Sequence, residues 1–289
     1  LYELGRCDSA RTHLRIVATE IDTAAARAKL LLARCFLSEG DYSLSEKTYE
    51  ELSATETLQM EDIRRWGQAA LFAGDTNVAV EKWKQAIDMN PVENCQLMYV
   101  LGTSLNKMKR YKESIEILNK RLATNECNDE NNYLIHYFIG LSYFFDGNSQ
   151  QAIAPLQKAI ELNPAFLWSM IYLGDVYANL NDNVKAEEMF ARAISAGTAD
   201  VEKYKSELNQ AFAKLAQMKL EQKKYKDLEK VGRDWLAAMP DNEFAALFTA
   251  VAYHGQGQND AACRNYKLVL KINPNNKTAR DNIRALGCE

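Results

Sequence analysis

Apolar residues along this chain recur at steps of three and four, interrupted at intervals by short polar turns. That period lines one face of an α-helix and is wrong for a strand, so the pattern predicts helices throughout. Three segments show a longer period: LGTSLNKMKRYKESIEIL from Leu101, IGLSYFFDGNSQQAIAPL from Ile139 and LGDVYANLNDNVKAEEMF from Leu173. Each opens on an apolar–Gly pair, places an apolar or aromatic residue three positions on, turns, and starts a second amphipathic stretch. Gly102, Gly140 and Gly174 mark the same point at spacings of 38 and 34 residues.

The register extends both ways. Gly67 and Ala33 precede Gly102 at steps of 35 and 34, and Ala216 and Ala250 follow Gly174 at steps of 42 and 34. The second stretch has its own small residue, at Ser45, Ala79, Ser114, Ala152, Ala186 and Ala262. A bulky one stands four positions later, at Tyr49, Trp83, Leu118, Leu156, Phe190 and Tyr266. Several units close on proline, at Pro91, Pro164, Pro240 and Pro274. A small residue lets two helices approach, and a bulky one fills the space beside it. Proline just past a helix cannot continue it. One hairpin cannot bury its apolar face alone, whereas stacked hairpins can.

With its Leu-Gly and Ile-Gly pairs, with Phe36, Tyr143, Tyr177 and Tyr253 three residues beyond the small one, and with the later Ala, aromatic and Pro positions, the chain resembles the tetratricopeptide repeat family. The resemblance implies an all-α, right-handed superhelical solenoid of antiparallel helix pairs. It divides the chain into the second half of a truncated unit over 1–18 and full units over 26–59, 60–94, 95–128, 133–166, 167–200, 201–242 and 243–276. A capping helix over 277–289 closes the array. Leu1, Gly5, Ala10, Leu14 and Val17 match the back half of a unit, so more repeats or another domain are expected upstream. The unit over 201–242 departs from the pattern, with Leu228 where alanine is usual and Gly232 where an aromatic is usual. Its excess length reads as one first helix from Asp200 to about Leu220, about two turns longer than its counterparts. A smaller excess, Ala123 to Asn132, reads as a loop. Pro155 falls inside a second helix and should bend it slightly.

Composition narrows the function. Apolar residues make up 47% and charged residues 26%, a balance that excludes wholesale disorder. The net charge of −4 argues against nucleic acid and anionic membranes, which reward excess positive charge. Lysines between Lys203 and Lys230 are offset by neighbouring carboxylates and read as a solvated face. The longest apolar run, Tyr133 to Phe145, is broken by His136 and Ser142 and is shorter than the ~20 residues of a membrane span, so no direct insertion is expected. His13, His136 and His254 lie in different units, and no metal, phosphate-loop or nucleophile motif is present. The expectation is a non-catalytic chain without cofactor or metal. The six cysteines form no CxxC pair and read as free thiols, partly buried. Free thiols favour a reducing, cytoplasmic setting; a periplasmic one follows if a targeting segment has been removed.

Tetratricopeptide arrays bind protein partners on a concave surface lined by the first helix of each unit. Carried over, the resemblance implies a groove of Arg64 and Gln68, then Tyr99, Thr103 and Asn106, then Tyr137, Leu141 and Phe144, then Trp168, Ile171 and Asp175, with Leu247, Val251 and His254 in the last unit. The two-carboxylate clamp of some members is absent, since its places carry Leu30, Arg34, Arg65, Gln96 and Val100. NNYLIHYFIGLSYFFDG is apolar around most of its circumference. Either neighbouring helices cover both its faces, or one face meets a partner. The chain therefore reads as an interaction module or scaffold for a peptide or protein segment. A regulatory or recruiting arm of a larger enzyme or cell-envelope complex is the alternative. Self-association through the fourth and fifth units is a further one.

Overall fold

A computed structural model describes residues 7–20 and 22–288. They fall into two compact bodies, Leu1–Asp129 and Glu130–Glu289. In the first body, α1 (Cys7–Glu20) packs on α2 (Asp22–Glu39). Then come α3 (Tyr42–Ser53), α4 (Met60–Ala73), α5 (Thr76–Met89), α6 (Cys95–Lys107) and α7 (Tyr111–Ala123). The second body holds α8 (Asn132–Phe145), α9 (Ser149–Leu162), α10 (Leu167–Asn179), α11 (Asn183–Gly197), α12 (Lys205–Glu221), α13 (Tyr225–Ala238), α14 (Glu243–Gly255), α15 (Asn259–Ile272) and α16 (Lys277–Leu286). Each helix packs on the next in the chain within its body. No strand occurs among the described residues, and the chain is an all-α solenoid of helical hairpins.

Seven hairpins, from α2/α3 to α14/α15, turn the same way. Each places one residue of its turn at positive φ: Gly40, Gly74, Lys109, Gly147, Asn181, Lys223 and Gly257. Reversing direction within a few residues needs that left-handed conformation, which glycine and asparagine adopt most cheaply. The steps between these residues are again 34, 35, 38, 34, 42 and 34.

Packing inside the hairpins follows from residue size. A Cβ added at Gly102 would stand 2.5 Å from Leu118, and one at Gly174 2.5 Å from Phe190. Gly67 meets Trp83, and Gly140 meets Leu156, in the same manner. Where the small residue of the second helix is serine, its hydroxyl donates to the carbonyl of the small residue opposite. Ser45 donates to Ala33 at 2.8 Å and Ser114 to Gly102 at 2.7 Å. A buried hydroxyl is thereby satisfied without widening the contact.

The hairpin over α12 and α13 differs from the sequence expectation. There is no single helix from Asp200. Residues 200–204 form a turn in which the Asp200 carboxylate accepts from the Lys203 backbone N–H at 3.1 Å. α12 then runs for 17 residues against 13 in α10, about one extra turn rather than two. Its size pattern is also inverted. Leu228 is fully buried, Gly232 lies against the Thr249 backbone, and Trp235 supplies the bulk by stacking on Phe212 at 5.7 Å and Phe248 at 6.2 Å.

Other expectations are refined. The stretch expected as a loop from Ala123 to Asn132 contains a 3₁₀ turn, Asn125–Cys127. α9 continues through Pro155. Leu1 and Gly5 lie outside the described residues, while Ala10 is buried in α1. α16 starts on an Asn276 cap, whose side chain accepts from the Ala279 N–H at 2.8 Å, and ends at Gly287 with φ of 63°.

The cysteines overturn the free-thiol expectation. Cys7 is joined to Cys35, Cys95 to Cys127 and Cys263 to Cys288, and none is left free. The partners stand 28, 32 and 25 residues apart. Short-range spacing signals cannot reveal such pairs; stacking helix on helix brings them together. The sequence argument for a reducing compartment therefore falls.

Candidate functional site

In the second body, first helices touch first helices: α8 meets α10, α10 meets α12, and α12 meets α14. Their outer faces line a cleft of about 420 Å³ formed by Phe144 and Phe145 of α8, Trp168, Ile171, Tyr172, Asp175 and Asn179 of α10, and Gln210 and Lys214 of α12.

The cleft has a buried base and an accessible aromatic wall. Tyr137 is 8% exposed, and its ring meets Phe166 edge-on at 5.0 Å and Tyr172 at 5.8 Å. Leu141 and Ile171 are also buried, Ile171 at 1% exposure. Tyr137 and Leu141 do not line the cleft, Tyr137 being packed against the Phe166 and Tyr172 rings, whereas Ile171 does line it. Burial holds the Tyr137 hydroxyl well above its ordinary pKa, with Tyr172 adding to the effect. Above this base stand Phe145, 48% exposed, and the half-buried Phe144, Trp168 and Tyr172. Tyr172 is the hub of the wall, 6.3 Å from the Trp168 ring and 6.1 Å from Phe145.

Two charges line the cleft, and they pair with each other. Lys214 Nζ lies 3.0 Å from Asp175 Oδ1. Burial raises the Asp175 pKa above the usual carboxylate value, and Lys214 opposes that rise without cancelling it. Burial and then the Asp175 charge also raise Tyr172. The cleft therefore carries no net charge and sets four aromatic side chains beside Ile171 and the polar Asp175, Asn179, Gln210 and Lys214.

The candidate residues of the first body are differently placed. On α4, Arg64 is ion-paired with Glu61 at 3.1 Å, and Gln68 is exposed. On α6, the Thr103 hydroxyl donates to the carbonyls of Tyr99 and Val100, satisfying it within its own helix. Tyr99 and Asn106 are half-buried. A cleft of about 460 Å³ in this body lies elsewhere, among Leu58, Ile63, Trp66, Lys82, Gln85 and Met89. In the last hairpin, Leu247 and Val251 pack on the core, and His254 lies edge-on to Tyr266 with Nδ1 3.4 Å from its hydroxyl.

Sequence reasoning missed Phe145, Tyr172, Asn179, Gln210 and Lys214. Phe145 and Tyr172 each adjoin a residue it did name, and an i+1 neighbour on a wide helix face is the signal that could have found them. Lys214 carried no such signal, because its place beside Asp175 depends on how α12 stacks.

Among the described residues no helix is long and apolar enough to cross a membrane. Tandem helical hairpins turning on left-handed residues, with small–bulky contacts inside and an uncharged aromatic cleft on adjacent first helices, define a helical-repeat protein. The chain belongs to the tetratricopeptide repeat family: a family profile described as "Tetratricopeptide repeat" matches residues 1–56, 64–126 and 137–201, and a second matches 249–276. Proteins of this fold are generally non-catalytic interaction modules, and the repeats support a protein-interaction scaffold role here. No curated protein matches the chain in sequence. Among solved structures, the fold is similar to the C-terminal part of a TPR repeat-containing protein from Cytophaga hutchinsonii, with 15% identity and a TM-score of 0.52 over 98% of this chain and 96% of that one. MamA from Desulfovibrio magneticus RS-1 is a more distant likeness, with 22% identity and a TM-score of 0.44 over 61% of this chain and 96% of that one.

Proposed function

We propose that the chain is a non-catalytic docking module, and that the cleft on α8, α10 and α12 binds an uncharged, apolar segment of a partner protein. The observation that carries this reading is the aromatic wall of Phe144, Phe145, Trp168 and Tyr172 beside a self-neutralised Asp175–Lys214 pair. Accessible aromatic clusters are the usual anchors of protein interfaces. A segment with net charge would meet no opposite charge there and would have to shed its water. Covering about 400 Å² of apolar surface is worth roughly 10 kcal/mol gross. Association and ordering costs remove enough of it to leave a Kd of order micromolar for a short segment.

The test pans a displayed library of random 12-residue peptides on the full chain and compares it with a Phe145→Ala, Trp168→Ala double variant. Tyr137 is left intact because it is core. The expected result is enrichment of uncharged aromatic and aliphatic peptides whose binding weakens more than tenfold in the double variant, with its thermal midpoint within a few degrees of wild type. Enrichment of charged peptides, or binding indifferent to the double variant, overturns the reading. Light scattering decides the second-copy alternative: a wild-type dimer that the double variant turns into a monomer would replace the peptide by another copy of this chain.

A further inference from the structure

Each of the three disulfides ties a helix or turn to a helix of the same body. Cys7–Cys35 ties α1, the first described helix, to α2, with Cα atoms 5.4 Å apart. Cys263–Cys288 ties the residue just beyond α16 to α15, at 5.7 Å. Cys95–Cys127 ties the 3₁₀ turn after α7, at the end of the first body, back to the start of α6, at 5.2 Å. All three Cα separations lie in the range a disulfide spans. The helix under the last one needs such help. α16 is a ten-residue helix with a single fully buried side chain, Ala279, and its other apolar residues, Ile283 and Leu286, are partly buried.

Every cysteine of the chain is used, in three separate places. A reducing cytosol keeps such thiols apart, whereas oxidising compartments form and keep the bonds. We infer that this chain matures and works in an oxidising compartment outside the reducing cytosol, and that its three cystines are permanent staples between neighbouring elements of the stack. Each bond forms when two thiols lose two protons and two electrons to the disulfide of an exchange partner, a thiol–disulfide oxidant, which leaves as a dithiol. A protein bound at the aromatic cleft would then share that compartment. The inference itself rests on the cysteines alone and stands apart from the docking reading.

The test takes the full chain from its native host, quenched in acid, blocked with N-ethylmaleimide and mapped by mass spectrometry without reduction. The expected result is no blocked cysteine and three linked peptides, Cys7–Cys35, Cys95–Cys127 and Cys263–Cys288. Any blocked cysteine, or any other pairing, overturns the inference. A second measurement tests the staple role on the oxidised chain. Reductant should lower its thermal midpoint by at least about 5 °C, and a Cys263→Ala, Cys288→Ala variant should speed amide exchange in α16 at least tenfold while leaving α10 unchanged. An unchanged midpoint together with unchanged α16 exchange would refute that role.

Discussion

Asp62 and Arg121 are buried in the first body and Lys219 in the second, while the second buries more rings, among them Tyr137, Phe190, Phe212 and Trp235. In the first, Asp62 is 1% exposed and accepts two hydrogen bonds from Arg34, at 2.8 and 2.9 Å. Arg121 is buried with Asp129 at 3.0 Å, and the buried Asn94 donates to the carbonyls of Ala86 and Asn90. Its apolar core falls into one cluster around Tyr49 and Trp66 and another around Met98 and Leu101. In the second body a large apolar cluster runs from Tyr137 to Ala252, with Phe212, Trp235 and Phe248 stacked within it, and a smaller one lies around Tyr266 and Val269. Of the candidate groove positions, the first body holds Arg64, Gln68 and Thr103 along with Tyr99, and the second Phe144 and Trp168. The repeat requires only the small–bulky contacts and the left-handed turns. Its remaining positions are free, and the two bodies have spent them on different chemistry.

The largest effect is expected where the second body depends on a ring. Trp235→Ala removes a fully buried indole sandwiched between two phenyl rings and should cost about 3–5 kcal/mol in urea unfolding. A loss below ~1 kcal/mol would mean that the aromatic stack is not what holds this body. Next comes Arg34→Met in the first body, which strands a buried carboxylate and should cost about 3 kcal/mol. If the cost is much smaller, Arg65, already 3.7 Å from Asp62, has taken over.

Acid titration should separate one carboxylate of each body by sign. Glu113 is held by Arg110 at 2.6 and 2.9 Å and by Lys84 at 2.9 Å, which lowers its pKa from 4.5 to about 2. A depressed carboxylate stabilises the fold above its unfolded value and loses that contribution as pH falls from 4.5 towards 2. Glu113 is a third exposed, so solvent screening reduces the effect to about 1 kcal/mol. Glu113→Gln should be destabilised by that amount at pH 7 and by less at pH 3. Asp175 runs the other way. Burial raises its pKa, so its charge costs stability above that value and the cost is relieved as pH falls through it. Asp175→Asn should be no less stable than wild type at pH 7, and a clear loss would make the Lys214 pair the dominant influence.

The smallest effect should not distinguish the bodies at all. Lys109 and Lys223 hold φ of 62° and 55°, where a side chain is strained. Glycine at either should gain about 0.5 kcal/mol by thermal unfolding, the relief being partly offset by a freer unfolded chain. Unequal gains at the two would show that turn energetics depend on the surrounding body.

Much of the fold was legible because its signals are local. Gly67, Gly102, Gly140 and Gly174 each meet a bulky residue of the following helix, and both partners of each contact stood out in the chain. The hairpin over α12 and α13 was harder to read, because Leu228 and Gly232 reverse the size pattern and Trp235 supplies the bulk from outside it. Of the groove residues carried over from the family, Phe144, Trp168, Ile171 and Asp175 do share one cleft. The apolar run of α8 left two outcomes open, and both occur: Tyr137, Ile139 and Leu141 are covered, while Phe145 is not.

Taken alone, the order of residues determined that helices form, where they turn and which small residue meets which large one. Those are matters of 3.6-residue periodicity, backbone sterics and volume within one hairpin. The tertiary structure decided which aromatics stay in reach of a partner, that Lys214 faces Asp175, and which cysteines bond. Each of these depends on how one hairpin lies against the next. That arrangement is set by the summed packing of whole faces, which no short stretch of sequence contains.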